Sequence, residues 1–202
     1  EQDEIIAQIL ASVEAICKKY PESYWLKLDK DHSYPTKFVE ALTESGYLNI
    51  LIPTKYGGAG LNLFCAAKIL EKIHENGCNA AAAHAQMYTM GAILKFGSDY
   101  QKEKWLPKIA NGEIRLQAFG VTEPDAGTET SSISTTAIKK GSKYIINGKK
   151  IWTSRAMHSD LMLLLARTKP KKNVISKSDG LSLFLIDIRK ARKKGMTIRP
   201  IE

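Results

Sequence analysis

Glu113-Ile114-Arg115-Leu116-Gln117-Ala118-Phe119-Gly120-Val121-Thr122-Glu123-Pro124-Asp125-Ala126-Gly127-Thr128 is the stretch on which the fold turns. Before it, apolar residues recur every three or four positions. After it, they come in short runs separated by turn residues. Upstream, Ile5, Ile6, Ile9, Leu10, Val13, Ile16 and Cys17 line one helical face that Pro21 closes. Pro35–Ser45 forms a short helix stopped by Gly46. Asn62 caps a helix to about Glu75 with Phe64, Ile69, Leu70 and Ile73 inward. Asn79 opens one to Phe96, and Ser98 caps another over Asp99–Asn111 with Trp105, Leu106 and Ile109 buried. Downstream, Leu116–Val121, Leu161–Arg167 and Leu181–Ile188 read as strands, the last two buried on both faces. Tyr144–Ile146, Asn147-Gly148 and Lys149–Thr153 read as a hairpin on a type I′ turn. Helices followed by strands predict an α+β, two-domain chain: a helical bundle over 1–112, then an antiparallel, barrel-like β domain over 113–202.

The totals agree with an ordinary globular protein: 202 residues, 44% apolar and 25% charged. No apolar run approaches the roughly 20 residues that a membrane-spanning helix needs. The acidic start, Glu1-Gln2-Asp3-Glu4, fits neither a secretory signal nor an Arg-rich transit peptide. Cys17, Cys65 and Cys78 are widely spaced and read as reduced, packed thiols; no spacing suggests a metal. The formal charge of +9 could attract nucleic acid, an acidic membrane surface or a polyphosphate. Its runs at Lys139-Lys140, Lys149-Lys150, Lys169–Lys172 and Arg189–Lys194 fall at turns and loops, where solvated lysine is the plainer reading. His32, His74, His84 and His158 form no triad with a Ser or Cys.

Within residues 119–128 a strand ends and the chain turns at Glu123-Pro124-Asp125-Ala126-Gly127, with hydroxyls at Thr122 and Thr128 on either side. Pro124 fixes a turn, and Gly127 allows close backbone approach. Successive exposed N–H groups would suit a polar ring edge or a pyrophosphate. The residues alone fit an ordinary turn equally well.

This stretch resembles the Thr-Glu-Pro-x-Ala-Gly-[Ser/Thr] signature of the acyl-CoA dehydrogenase family, and three further stretches resemble that family in the same order. They are Pro53-Thr54-Lys55-Tyr56-Gly57-Gly58-Ala59-Gly60; Phe96-Gly97-Ser98 through Lys104-Trp105-Leu106-Pro107 to Gly112-Glu113; and Asn147-Gly148-Lys149-Lys150-Ile151-Trp152-Thr153-Ser154. The resemblance implies FAD as cofactor. It implies that Thr122 and the backbone at Phe119 and Val121 meet the pyrimidine edge of the flavin, with Gly127 in the same loop. Thr128 reaches the FAD pyrophosphate or the CoA arm. Trp152 packs beside the ring, and Thr153 and Ser154 lie near flavin N5, Ser154 standing where the family often has Thr. Ala82, Ala83 and Gln86 fall on the helix that lines the acyl tail in the family; alanine there serves helix formation and close packing just as well.

The reaction implied is α,β-dehydrogenation of an acyl-CoA thioester, by α-proton removal and hydride transfer to flavin N5, with electrons passed to an electron-transfer flavoprotein. The family's glutamate base lies in a C-terminal four-helix domain. No carboxylate among these 202 residues matches it, so the β domain is expected to be incomplete and the chain inactive alone. A homo-oligomer, dimer or tetramer, is implied for the full-length protein. So is an intracellular location: cytoplasmic in a prokaryote, the mitochondrial matrix in a eukaryote. A flavin-dependent oxidase or monooxygenase of the same fold is the alternative. A DNA-associated flavoprotein ranks below it, because the basic residues are scattered without interleaved aromatics.

Overall fold

The computed structural model describes residues 2–201. Glu1, at the head of the acidic start, and Glu202 lie outside them, as do the side chains of Gln2 and Asp3. The chain divides after Arg115 into two compact units, the first helical and the second built on a sheet.

The helical unit holds α1 (Gln2–Cys17), α2 (Glu22–Lys30), α3 (Thr36–Glu44), α4 (Leu63–Glu75), α5 (Ala81–Phe96) and α6 (Asp99–Ala110). Two side-chain caps fall where the sequence places them, while α5 begins after Ala80 without a side-chain cap. The Asn62 side chain accepts from the Cys65 N–H, and the Ser98 hydroxyl accepts from Gln101 while the Gln101 side chain accepts from the Ser98 N–H. Gly46 follows α3 with φ +78°, a left-handed stop. Val13, Ile16, Phe38, Leu42, Leu48, Ile69 and Ile73 form the core. Two residues expected inside are outside: Ile5 near the start of α1, and Phe64 in the first turn of α4, which the periodicity alone could not distinguish from its inward neighbours. Trp105 is only half-buried, whereas Leu106 and Ile109 are buried. Helix α2 is not foreshadowed by periodicity, because none of its residues is buried. Edge-to-face rings secure it instead: Tyr20 on Tyr24 at 4.9 Å, Tyr20 on Phe38 at 5.2 Å and Trp25 on Phe38 at 5.0 Å between centroids.

The second unit is a five-stranded sheet of β1 (Leu116–Gly120), β2 (Thr136–Lys140), β3 (Lys143–Asn147), β4 (Leu161–Arg167) and β5 (Leu181–Asp187), followed by the short helix α7 (Ile188–Arg192). Strand β4 is central and almost wholly buried. One edge of it pairs antiparallel with β5 along its whole length. Along the other edge run β1, from Leu116↔Leu161 to Gly120↔Leu164, and then β2, at Thr136↔Arg167. Both of these pairings are parallel, so the sheet is mixed where an antiparallel one was expected. The chain leaves β4's edge after Gly120 and rejoins it in the same direction at Thr136. Residues 121–135 are therefore looped out of a nearly continuous sheet edge. Strand β5 is only half-buried, since β4 covers one of its edges and no strand among the described residues covers the other.

The hairpin also differs from expectation. It joins β2 to β3 through Gly141-Ser142, with Gly141 at φ +60°. Asn147 ends β3, and residues 149–153 are not a strand. Gly148 serves a different need: a Cβ on it would sit 2.2 Å from Thr135 Oγ1 and 2.7 Å from Thr135 Cα.

Two glycines of the helical unit test this packing in opposite directions. A Cβ on Gly58 would lie 2.0 Å from the Ile52 carbonyl oxygen, which is backbone and cannot yield, whereas one on Gly91 inside α5 meets nothing within 4 Å. Gly58→Ala should lower unfolding stability by about 1–3 kcal/mol. Gly91→Ala should raise it by up to about 1 kcal/mol. Denaturant unfolding of the two variants checks both signs.

Candidate functional site

The loop after β1 is tied down from within. Gly120 ends the strand where a Cβ would meet Leu164 at 3.0 Å and Met162 at 3.3 Å. Three residues on, Glu123 and Ala126 exchange both backbone hydrogen bonds at 3.1 Å, leaving Pro124 and Asp125 at an exposed tip. The Glu123 side chain turns inward and is 3% exposed. Its Oε2 accepts from the Ser134 N–H (2.6 Å) and hydroxyl (2.7 Å). Its Oε1 accepts from the Thr135 N–H (2.9 Å) and from Lys150 Nζ (2.8 Å). The same ammonium donates to the Val121 carbonyl at 2.8 Å, and the Ile151 N–H donates to the Thr122 carbonyl at 2.9 Å. Three segments far apart in sequence, 121–126, 134–135 and 150–151, thus meet on one buried carboxylate.

Burial works to raise the pKa of Glu123, but hydrogen bonds from Lys150, Thr135 and Ser134 outweigh it and hold it at about 2. Burial also pushes the Lys150 ammonium down, against the pull of Glu123. Near neutral pH the pair stands as carboxylate and ammonium.

The second loop carries unusual backbone. Trp152 and Arg155 have φ of +57° and +58°. Non-glycine residues adopt that region rarely and at a cost of about 1–3 kcal/mol each. Trp152 is 65% exposed. Thr153 Oγ1 and Arg155 Nε are buried with no hydrogen-bond partner among the described residues. A short 3-10 turn, Ala156–His158, follows, and Ser159 anchors its far end by accepting from the Gln117 N–H at 3.1 Å.

All eight residues expected at the cofactor lie in the sheet unit. Phe119, Val121 and Thr122 are half-buried at the end of β1, and Gly127 and Thr128 are exposed beyond the tip. Trp152 and Ser154 are exposed, and Thr153 is half-buried, on the loop that Lys150 and Ile151 bind to the first. Among the described residues no group takes up the Thr122 hydroxyl. In the helical unit, Ala82 and Ala83 belong to the core, and Gln86 is fully buried with its amide donating to the Leu48 carbonyl at 3.4 Å.

Two sequence readings are corrected here. Lys150 is not a solvated member of a lysine run: Lys149 is exposed, but the Lys150 side chain is 10% exposed and paired. The N–H groups of the 122–128 stretch are not all presented outward, because those of Glu123 and Ala126 bond each other's carbonyls. Glu123, Ser134, Thr135, Lys150 and Arg155 were not singled out for this bracing.

Residues 3–113 match the family model "Acyl-CoA dehydrogenase, N-terminal domain", and residues 118–202 match "Acyl-CoA dehydrogenase, middle domain". A helical domain leading into a sheet is thus the arrangement of this family's N-terminal and middle domains. The chain belongs to the acyl-CoA dehydrogenase family. It is 33% identical over 163 residues to cyclohex-1-ene-1-carbonyl-CoA dehydrogenase of Syntrophus aciditrophicus, covering 80% of this chain and 38% of that protein. Among solved structures, the acyl-CoA dehydrogenase from Geobacillus kaustophilus superposes with a TM-score of 0.81 at 28% identity, covering 91% of this chain and 48% of that one. A structure described as the electron transferring flavoprotein of Acidaminococcus fermentans superposes at 0.79 and 29% identity, covering 90% and 47%. The chain therefore spans less than half the length of these proteins.

The buried carboxylate predicts an acid dependence of stability. Its folded pKa, about 2, lies below its ordinary 4.5, so its contribution is complete above the ordinary value and is lost as pH falls through about 2. That contribution is on the order of 3 kcal/mol. Glu123→Gln should be less stable than wild type near pH 7, and the two should converge as pH falls from about 5 towards 2. Urea unfolding across that range is the check; a constant gap between the two proteins would contradict the assignment.

Proposed function

We propose that the complete gene product catalyses FAD-dependent α,β-dehydrogenation of an acyl-CoA thioester. The observation that carries this is the state of the loop at Trp152–Arg155. It combines an exposed indole on left-handed backbone, a second left-handed residue, and two buried polar atoms without partners among the described residues. Strain and orphaned donors of this kind are expected where a ligand completes the structure. The residues fit FAD: Trp152 offers a flat apolar face, while Thr122, Thr153, Ser154 and Thr128 offer hydroxyls to polar ring edges and phosphate oxygens. FAD, when bound, supplies the hydride acceptor.

Each part of the chain has a share in this reading. Thr122 donates towards the pyrimidine edge together with the backbone at Phe119 and Val121. Trp152, Thr153 and Ser154 flank the ring on the side that receives hydride. Gly127 and Thr128 hold the pyrophosphate or the CoA arm, and Ala82, Ala83 and Gln86 back the acyl tail. Glu123 is excluded as the α-proton base: a carboxylate held near pKa 2 and enclosed by four donor bonds is a weak and inaccessible base. The base is assigned to a segment other than these 202 residues. The electron acceptor in this reading is an electron-transfer flavoprotein, in keeping with the likeness to the Acidaminococcus structure. The assembly is a homo-oligomer, located in the cytoplasm of a prokaryote or the mitochondrial matrix of a eukaryote.

Thr122→Val in the complete gene product tests the reading. It preserves shape and deletes a donor aimed where negative charge develops on hydride transfer. Such a donor favours the transition state and the reduced form over the ground state. The rate of flavin reduction by saturating acyl-CoA should fall by about 10- to 1,000-fold. The flavin reduction potential should fall with it, and FAD retention should change little. Thr128→Val should instead weaken FAD or substrate binding with little effect on potential. A Thr122→Val protein with unchanged potential and reduction rate would overturn the assignment.

A further inference from the structure

We infer that Lys150 is a positioning residue for the flavin edge: its ammonium grips the chain on both sides of Thr122 and thereby sets where the Thr122 donors point. The inference rests on the proposed flavin role of Thr122.

The geometry is specific. Lys150 Nζ is 2.8 Å from the carbonyl of Val121, the residue before Thr122, and 2.8 Å from the carboxylate of Glu123, the residue after it. The Thr122 carbonyl itself accepts from the Ile151 N–H, directly next to Lys150. Residues 121–123 are thus held at three successive positions by two neighbouring residues of the other loop, at the backbone carbonyls of Val121 and Thr122 and at the side-chain carboxylate of Glu123. Thr122 is left with a half-buried side chain whose hydroxyl has no partner among the described residues. The grip also runs the other way. Lys150 lies two residues before Trp152, so the contacts that hold Thr122 also fix the start of the strained segment.

Among the ion pairs of the described residues this is the most buried. Lys18–Glu14, Lys68–Glu71 and Lys72–Glu75 are three or four residues apart on one helix, with at least one partner well exposed. Such surface pairs stabilise little. Lys150 and Glu123 are 27 residues apart, with side chains 10% and 4% exposed. A buried pair often contributes less stability than an apolar pair of the same volume, because desolvating two charges is costly. Its geometric demands are strict, however, and they fall here on the residues flanking the proposed flavin donor. Because the pair is neutral as a whole, its influence on a ligand is exerted through position more than through net charge.

The test uses the holoenzyme of the complete gene product and four proteins: wild type, Lys150→Arg, Thr122→Val and the double variant. Arginine keeps the charge and the donors but spreads them over a planar fork that cannot meet both acceptors from the same place. Lys150→Arg should retain FAD, lower the flavin reduction potential and slow flavin reduction about 10- to 100-fold, with KM nearly unchanged. In the Thr122→Val background the same substitution should leave potential and rate nearly where Thr122→Val alone put them, because Lys150 acts through Thr122. Lys150→Met, which leaves Glu123 unpaired, should shift the potential the same way or fail to fold; in the second case Lys150→Arg alone decides the matter. A purely structural brace would lower the melting temperature and leave the bound flavin at the wild-type potential, which would overturn the inference. Equal effects of Lys150→Arg with and without Thr122 would overturn it as well. If Thr122→Val shifts the potential and Lys150→Arg does not, the functional reading stands and this inference falls. If wild type carries no FAD, both fall together.

Discussion

The sheet unit depends on one buried ion pair. Glu123 has left water almost completely, and four donor bonds offset the desolvation: two from Ser134, one from the Thr135 N–H and one from Lys150. Without it, residues 121–135 would be a long excursion from the edge of β4, free to adopt many conformations at little energetic difference. With it, the excursion is drawn back onto the strand start at 135–136 and onto the loop after β3. The close approach of Gly148 to Thr135 belongs to the same arrangement, since any side chain at 148 would push the two loops apart.

The sheet and the loops divide the work between them. Strand β4, buried along nearly all its length and paired on both edges, is the rigid element. Most of the residues proposed to meet the cofactor lie on irregular backbone beside β4 and the ion pair. Trp152 and Arg155 occupy backbone conformations that they would not choose locally. Strain of that size persists only where surrounding contacts over-determine the chain, and Lys150 and Ile151 on one side and Ser159 on the other supply such contacts.

The sequence made some of this legible and hid the rest for physical reasons. Caps are local: Asn62 and Ser98 announce themselves because the donors they satisfy lie within three residues. The apolar faces of α1, α4 and α6 follow from period, although Ile5 and Phe64 show that period does not say where a face ends. Helix α2 buries none of its own residues, so it left no periodic trace. Parallel pairing of β1 and β2 with β4 is non-local and has no signature in any single strand. Asn147-Gly148 suggested a hairpin because the pair suits a tight turn, yet the glycine answers to Thr135, thirteen residues before it, and the turn uses Gly141. Lys150 was the hardest residue to read: a lysine beside a lysine reads as solvated, and only the fold brings Glu123 to it. The roles proposed for Phe119 to Thr128 and for Trp152 to Ser154 rest on resemblance, not on composition or spacing.

The central claim is that Glu123 is an ionised, buried anchor held by Lys150. The most direct measurement is the ionisation of its side-chain carboxyl, followed by carbon-13 NMR as pH is lowered in folded protein. The account predicts that this carboxyl is still ionised at about pH 4, with its midpoint near 2. A Glu123 carboxyl that takes up its proton near the ordinary 4.5 would contradict it.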